Sequence, residues 1–209
     1  MRDTQTGKDS LWRRLWSPSV RWSVGALLVA GIVVGVVGWM GFDAALTWTN
    51  TEKFCLSCHE MRDNVYQEYR GTIHDMNRTG VRAVCADCHV PKPLVHKLIR
   101  KVKAAKEVWG KMTGSVDTRE KFEQERIRLA LNEWKRMKES DSRECRSCHV
   151  FDAFDLAQQQ KRAQAKHTEA QSTGETCIDC HKGIAHRLPA GAYEAEAELN
   201  KKWAQTHGR

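Results

Sequence analysis

The chain has 209 residues, with 34 Lys and Arg against 26 Asp and Glu, for a formal charge of +8 with the histidines neutral. That length allows one ordinary domain plus an appendage. All eight cysteines fall in four pairs of one shape, so no odd thiol is left over, and an expectation of disulfides has to give way to whatever chemistry uses the pairs.

From Trp22 to Met40 the chain reads WSVGALLVAGIVVGVVGWM, 19 residues without a charge. At 1.5 Å rise per residue this approaches the ~30 Å hydrocarbon thickness, and Phe42, Ala44, Ala45 and Leu46 extend it. A cleaved secretory signal has a shorter apolar run and a small-residue cleavage site, whereas GFDAALTW follows here, so an uncleaved transmembrane helix is expected. Arg13, Arg14 and Arg21 flank its start, with Arg2 and Lys8 further out, which by the positive-inside rule leaves the N-terminus in the cytoplasm. Tryptophans 12, 16 and 22 on one side and 39 and 48 on the other suit the two interfaces. Everything after the anchor then lies across the membrane from the cytoplasm, with residues 1–20 cytoplasmic and 21–48 forming the anchor.

The paired cysteines stand in CLSCH at 55–59, CADCH at 85–89, CRSCH at 145–149 and CIDCH at 177–181. Zinc sites use C-x-x-C pairs but have no need of a histidine after every second cysteine, whereas C-x-x-C-H attaches a c-type haem through two thioethers and one axial histidine. Four covalent haems are expected, held by Cys55, Cys58, Cys85, Cys88, Cys145, Cys148, Cys177 and Cys180. The first haem is tethered near the membrane surface, because only fourteen residues separate Met40 from Cys55.

The spacing shows a duplication. Cys55 to Cys85 is 30 residues and Cys145 to Cys177 is 32, with a free histidine ahead of each second motif, His74 and His167. The expected architecture is mainly α, an anchor helix followed by a small multihaem cytochrome c domain built from two dihaem units, residues 49–112 and 113–190, with a tail at 191–209. Four irons have eight axial positions, and the motif histidines His59, His89, His149 and His181 supply at most four. Among the remaining histidines, repeat position ranks His74, His167 and His186 above His96, with His207 last. His186 lies five residues beyond His181, too close to cross its own haem, so it serves a neighbouring ring and cross-ligation ties the haems into a cluster. The first haem has His59 or Met61 on one face and no firm partner on the other, since two residues span at most ~7 Å and cannot round a porphyrin edge. Core packing is the plain alternative role for Met61.

Residues 94–112, LVHKLIRKVKAAKEVWGKM, carry apolar positions at 95, 98, 102, 105, 109 and 112 and lysines elsewhere, the spacing of an amphipathic helix. A solvated basic face, attraction to anionic headgroups and a lysine on a quinone oxygen are its three candidate roles. Nucleic acid is not expected, because it would have to be met across a membrane. TGSVDTRE then breaks the chain at Gly114, and Asp117 with Glu120 predicts a capping box for a second helix running to about Lys138. The stretch AGAYEAEAELNKKWAQTHGR after Pro189 is a peripheral helix or frayed end with no chemistry of its own.

An N-terminal anchor with CLSCHEM, GVRAVCADCHVP, DSRECRSCH and TCIDCHKGIAH in this order resembles the NapC/NirT family of tetrahaem quinol dehydrogenases, nearest its NapC branch and related to NrfH, over residues 15–190. The resemblance implies electron transfer from membrane quinol to a soluble periplasmic reductase, with quinol dehydrogenation performed by an electron-transfer subunit that allows a homodimer. Periplasmic nitrate reductase is the first expected partner and cytochrome cd₁ nitrite reductase the second. As in NrfH proteins, Met61 is implied as a ligand of the first iron, with an acidic residue near its other face and a lysine on quinol, for which Glu107 and Lys101 are the closest positions. The family pattern further implies His74 on the fourth haem, His167 on the third and His186 on the second. The fifth haem domain of TorC proteins is not seen, which argues against a dedicated trimethylamine-oxide partner. A terminal multihaem reductase is the alternative, but its C-x-x-C-K motif is missing.

Overall fold

The computed structural model describes residues 21–207, so the basic residues at 2, 8, 13 and 14 and the tryptophans at 12 and 16 lie outside the described residues. The chain divides into one unit up to Thr47 and a second from Trp48 onward. In the first, α1 (Val24–Trp48) is a 25-residue helix, about 37 Å at 1.5 Å per residue, with no buried residue along it. Ser23 receives the Ala26 N–H at 3.2 Å and so starts the helix. Its length and apolar composition suffice to cross a membrane.

The second unit is a string of helices, and no strand occurs among the described residues. In order come α2 (Glu52–Cys55), a π-helical turn (Met61–Val65), α3 (Tyr66–Tyr69), α4 (Cys85–His89), α5 (Leu94–Met112), α6 (Arg119–Glu139), α7 (Arg143–Arg146), two 3₁₀ turns (Phe151–Ala153 and Leu156–Gln158), α8 (Lys161–Thr173), α9 (Cys177–Cys180) and α10 (Ala192–His207). Three of the four C-x-x-C-H motifs open on short helices that begin at or just before their first cysteine. The two long helices fall where periodicity places them. The break differs in detail from the expected capping box: Thr118 caps α6 by accepting from the Lys121 N–H at 3.3 Å, while Asp117 pairs with the Lys121 ammonium at 2.7 Å. Thr118 wins because its hydroxyl sits directly ahead of the first helical residue.

Packing runs along one stripe of α6. Phe122, Arg126, Trp134 and Met137 are buried at helical spacing. Trp134 and Met137 meet Ile178 of α9 and Ala192 of α10, with Ala130, Leu131, Leu188 and Leu199 around them. The C-terminal segment is thus a helix seated on the core through Ala192, pinned by Lys138 to Asn200 at 3.1 Å and by Lys182 to Glu196 at 2.6 Å. Only six apolar residues are buried among those described, far too few for a unit of this length to be held by side-chain burial alone. Large apolar groups attached to the chain would supply the missing interior.

Ser142 is the one large exception to solvent access, fully buried and in left-handed backbone at φ 48, beside Asp141 at φ 52. Such backbone is costly for residues with a side chain. Here it lets Ser142 give its N–H to Met137 O at 2.7 Å and receive the Ile178 N–H on its hydroxyl at 3.1 Å, so the third and fourth motifs are held to one another through the end of α6. Trp134→Ala should cost about 3 kcal/mol of stability and Ser142→Ala about 1 kcal/mol, read as lowered Tm in thermal unfolding of the haem-loaded protein.

Candidate functional site

The four motifs repeat their local hydrogen bonding two by two. In the first and third motifs a serine sits between the cysteines, and Ser57 donates to Phe54 O and Ser147 to Glu144 O, each at 2.7 Å. In the second and fourth an aspartate holds that place, and Asp87 receives the Val84 N–H and Asp179 the Thr176 N–H, each at 2.8 Å. Ser donating in one and Asp accepting in the other is a residue-level signature of the duplication. The leading thiols are neighbours across motifs, Cys55 beside Cys85 and Cys145 beside Cys177. All eight cysteines are free of disulfides.

Six of the histidines gather in three pairs. Ring centroids lie 6.2 Å apart for His74 and His149, 6.2 Å for His89 and His186, and 5.9 Å for His167 and His181. A metal–imidazole bond is about 2 Å and the ring centre sits about 1 Å behind the nitrogen, so two imidazoles on opposite faces of one metal have centroids roughly 6 Å apart. Each pair joins one motif histidine to one free histidine, as an iron gripped on both sides needs. The pairing corrects the assignment implied by family pattern: His74 faces the third motif and His167 the fourth, the reverse of expectation, while His186 faces the second. The reason is spatial. Phe151 and Phe154, on the turn after the third motif, pack near His167, and α8 returns that residue to its own neighbouring motif.

Second contacts aim these rings. The Nδ1 of His89 lies 3.0 Å from a Glu133 oxygen, that of His186 3.2 Å from Val65 O, and that of His167 2.6 Å from Gln159 Oε1, which leaves Nε2 of each to bind. Glu133 is gripped in turn by Arg136 at 2.6 Å, and Arg136 also reaches Glu144 at 3.2 Å and Cys88 O at 3.1 Å. Burial opposes charge on Glu133, but His89 and Arg136 overcome it and hold its carboxyl far below the usual range. Burial and the neighbouring His89 pull His186 down to about 4, so it is neutral, the form that donates to a metal.

The free histidines are held by loops tied to distant parts of the chain. Tyr69 donates its hydroxyl to His74 O at 2.8 Å and to Ala83 O. Arg82 bridges Asp75, next to His74, and Glu52, ahead of the first motif, at 2.7 and 2.8 Å. Arg126 grips Glu68 at 2.5 Å and Arg187 O at 2.8 Å, and Glu68 accepts the Arg187 N–H at 2.9 Å, which fixes the loop carrying His186. None of Glu133, Arg136, Arg126 or Glu68 stood out in the sequence; for the three on α6, charged residues at helical spacing with hydrophobics were the only signal, and Glu68 on α3 gave none.

The first motif differs. His59 is exposed and pairs with no other histidine ring among the described residues. Met61, exposed, opens the π-helical turn, where Cys58 O accepts both the Met61 and Arg62 N–H groups at 3.2 and 3.1 Å. Such π turns recur at functional sites. Buried Glu60 lies between His59 Nε2, at 3.3 Å, and the Lys111 ammonium, at 3.0 Å. Lys101 of α5 gives Thr49 two hydrogen bonds, at 2.9 and 3.0 Å, and its charge is felt at Cys55. Glu107 instead pairs with Arg100 at 3.0 Å in solvent, so Lys101 and Glu107 are not brought together. His96 is exposed, and His207 stacks on Trp203 at 3.9 Å.

These features fit iron porphyrins attached in sequence, and comparison with known proteins points the same way. The model of the NapC/NirT cytochrome c family, N-terminal region, matches residues 17–191. The denitrification system component NirT of Stutzerimonas stutzeri is 54% identical over 191 residues, 91% of this chain and 95% of that protein. Cytochrome c-type protein NapC of Escherichia coli K12 is 53% identical over 186 residues, 87% and 92% of the two chains. A putative tetraheme cytochrome-c type protein of Allochromatium vinosum is 49% identical over 166 residues, 78% and 90%. No solved structure gives a significant match. NirT and NapC are equally similar, so neither branch is favoured. With motifs, histidine pairs and sequence likeness all in agreement over most of its length, the chain belongs to the NapC/NirT cytochrome c family.

Proposed function

We propose that the protein is a membrane-anchored tetrahaem cytochrome that oxidises quinol and passes the electrons to a periplasmic reductase. The observation that carries this reading is the set of three histidine pairs at metal-spanning distance beside a first motif with no second histidine. In this reading His149 with His74, His89 with His186, and His181 with His167 would hold three of the haems, and His59 or Met61 would hold the first. When bound, each haem takes up and releases one electron at a potential set by its axial ligands and their hydrogen bonds. The haem-bearing unit lies in the periplasm, on the side of the bilayer opposite the basic N-terminus.

The polypeptide's part at the first motif is to place donors and proton acceptors. An ammonium has three N–H donors; Lys101 gives two to Thr49 and keeps one for a quinol oxygen. Burial, aided by Lys97 and Arg100, draws Lys101 below the ordinary lysine range, which eases proton exchange. Glu107, solvated beside Arg100, is an outlet for the two protons that quinol loses as its two electrons leave singly. A homodimer is compatible with this scheme and not needed by it. For the acceptor, the NapC relatives speak for periplasmic nitrate reductase, and the equal likeness to a denitrification component keeps cytochrome cd₁ nitrite reductase as the second reading.

Lys101→Ala should slow oxidation of a soluble quinol analogue about tenfold, the worth of one charged hydrogen bond, with haem content unchanged by absorbance. Turnover equal to the parent's would remove Lys101 from the quinol site. Met61→Ala should likewise lower turnover more than haem incorporation. Glu133→Gln removes a negative charge that favours oxidised iron behind His89, so one of the four midpoint potentials should rise by roughly 60 mV, a tenfold change in a one-electron equilibrium, in a spectroelectrochemical titration. Four unmoved potentials would detach Glu133 from any haem.

A further inference from the structure

Helix α5 is amphipathic with its faces reversed. Val95, Ile99, Val102 and Trp109 recur at i, i+4, i+7 and i+14, one face of a helix, and are 64%, 50%, 75% and 65% exposed, with Met112 at its end 74% exposed. The basic side turns inward instead. Arg100 donates to His89 O at 3.2 Å, Lys101 to Thr49, and Lys111 to Glu60 at 3.0 Å. A helix on the surface of a water-soluble body buries its apolar stripe and exposes its charges.

The thiols of the first motif do not account for the bare stripe. Cys55 feels the charge of Lys101 and Cys58 that of Lys111, so both lie on the inward, basic side of the helix, away from Val95 and Val102. A haem held by these two cysteines would attach on that side.

We infer that the outward face of α5, from Val95 through Met112, lies on the lipid bilayer as an interfacial helix. The inference rests on α1 spanning the membrane, and three features choose lipid as the occupant. Lys101 bonds Thr49, the residue next after the end of α1, so the middle of α5 is within hydrogen-bond reach of the point where the chain leaves the apolar segment. Exposed His96 and Lys103 flank the apolar face and exposed Lys106 lies within it, where long stems let an ammonium reach anionic headgroups while the stripe enters the acyl boundary. Trp109 has the wet edge and apolar face that suit the interface. The site of electron entry is thereby held to the membrane at two places, by the anchor and by α5.

The test uses full-length haem-loaded protein carrying benzoylphenylalanine in place of Val102, reconstituted in vesicles of phosphatidylethanolamine and phosphatidylglycerol and irradiated. Controls carry the label at Val33 in α1 and at Arg128, exposed on α6. Lipid adducts at position 102 should approach those at 33 and exceed those at 128 by about tenfold in mass spectra. A label in place of Trp109 should behave alike, which guards against a local defect at one position. Lipid adducts at 33 with none at 102 and 109 overturn the inference and leave the membrane-spanning reading intact. Crosslinks from 102 to a second copy of the chain or to an added reductase, in place of lipid, overturn it as well. Absence of adducts at 33 would remove the anchor on which it rests.

Discussion

An iron held from both sides needs two imidazoles about 6 Å apart, centre to centre, and this single distance organises the second unit. Two of the three pairs that meet it join residues far apart in the chain, His74 with His149 and His89 with His186. Bringing such residues together costs loop-closure entropy, and the side-chain core of Trp134, Met137, Ile178 and Ala192 is small. Haems bonded to the chain and held by the paired histidines would both fill the interior and close the loops. This explains why ion pairs and short hydrogen bonds clamp the loops at Asp75, Arg82 and Arg187 to distant helices: the rings must already face one another when the cofactor is present.

The same economy places charge beside the ligands. His89 donates to or shares a proton with Glu133, which Arg136 neutralises, and Arg136 in turn meets buried Glu144. Charges out of water are expensive unless each finds partners, so a chain of this kind marks a position where the field itself is used. A carboxylate behind an axial imidazole favours the oxidised metal. The other ring of the same pair, His186, has a backbone carbonyl, Val65 O, in that role, and His167 of the His167–His181 pair has a neutral amide, Gln159. Different second partners on otherwise alike ligand pairs are the natural means by which one duplicated fold spreads its potentials.

At the first motif the duplication is broken. The first motif retains the Ser57 bond of its counterpart Ser147 but is followed by a π turn at Met61, where the third motif is followed by Val150 and a pair of phenylalanines packed near histidines. Where the other motifs meet a second imidazole, this one has buried Glu60 paired with Lys111, and Lys101 bonded to Thr49, a surrounding of charged and polar groups that suits the proton and quinol chemistry proposed for it. With α5 turning its apolar side outward, its hydrogen-bonded basic groups and its exposed apolar stripe stand on different sides of one helix.

Much of this was legible in the residues because it is local. C-x-x-C-H is a covalent attachment signal within five residues, the apolar run of α1 needs only its own composition, and the spacing of Cys55, Cys85, Cys145 and Cys177 exposes the duplication. The periodicity of residues 94–112 likewise identifies a helix with one apolar face. Which histidine meets which motif was not legible, since His74 and His167 sit at nearly the same offset in the repeat and only the path of the intervening helices brings one to His149 and the other to His181. Nor could periodicity tell that α5 turns its apolar face away from the body, or that Glu133 stands behind His89 while Glu107 pairs with Arg100. Those relations join residues separated by many positions, and their geometry exists only once the helices between them have packed.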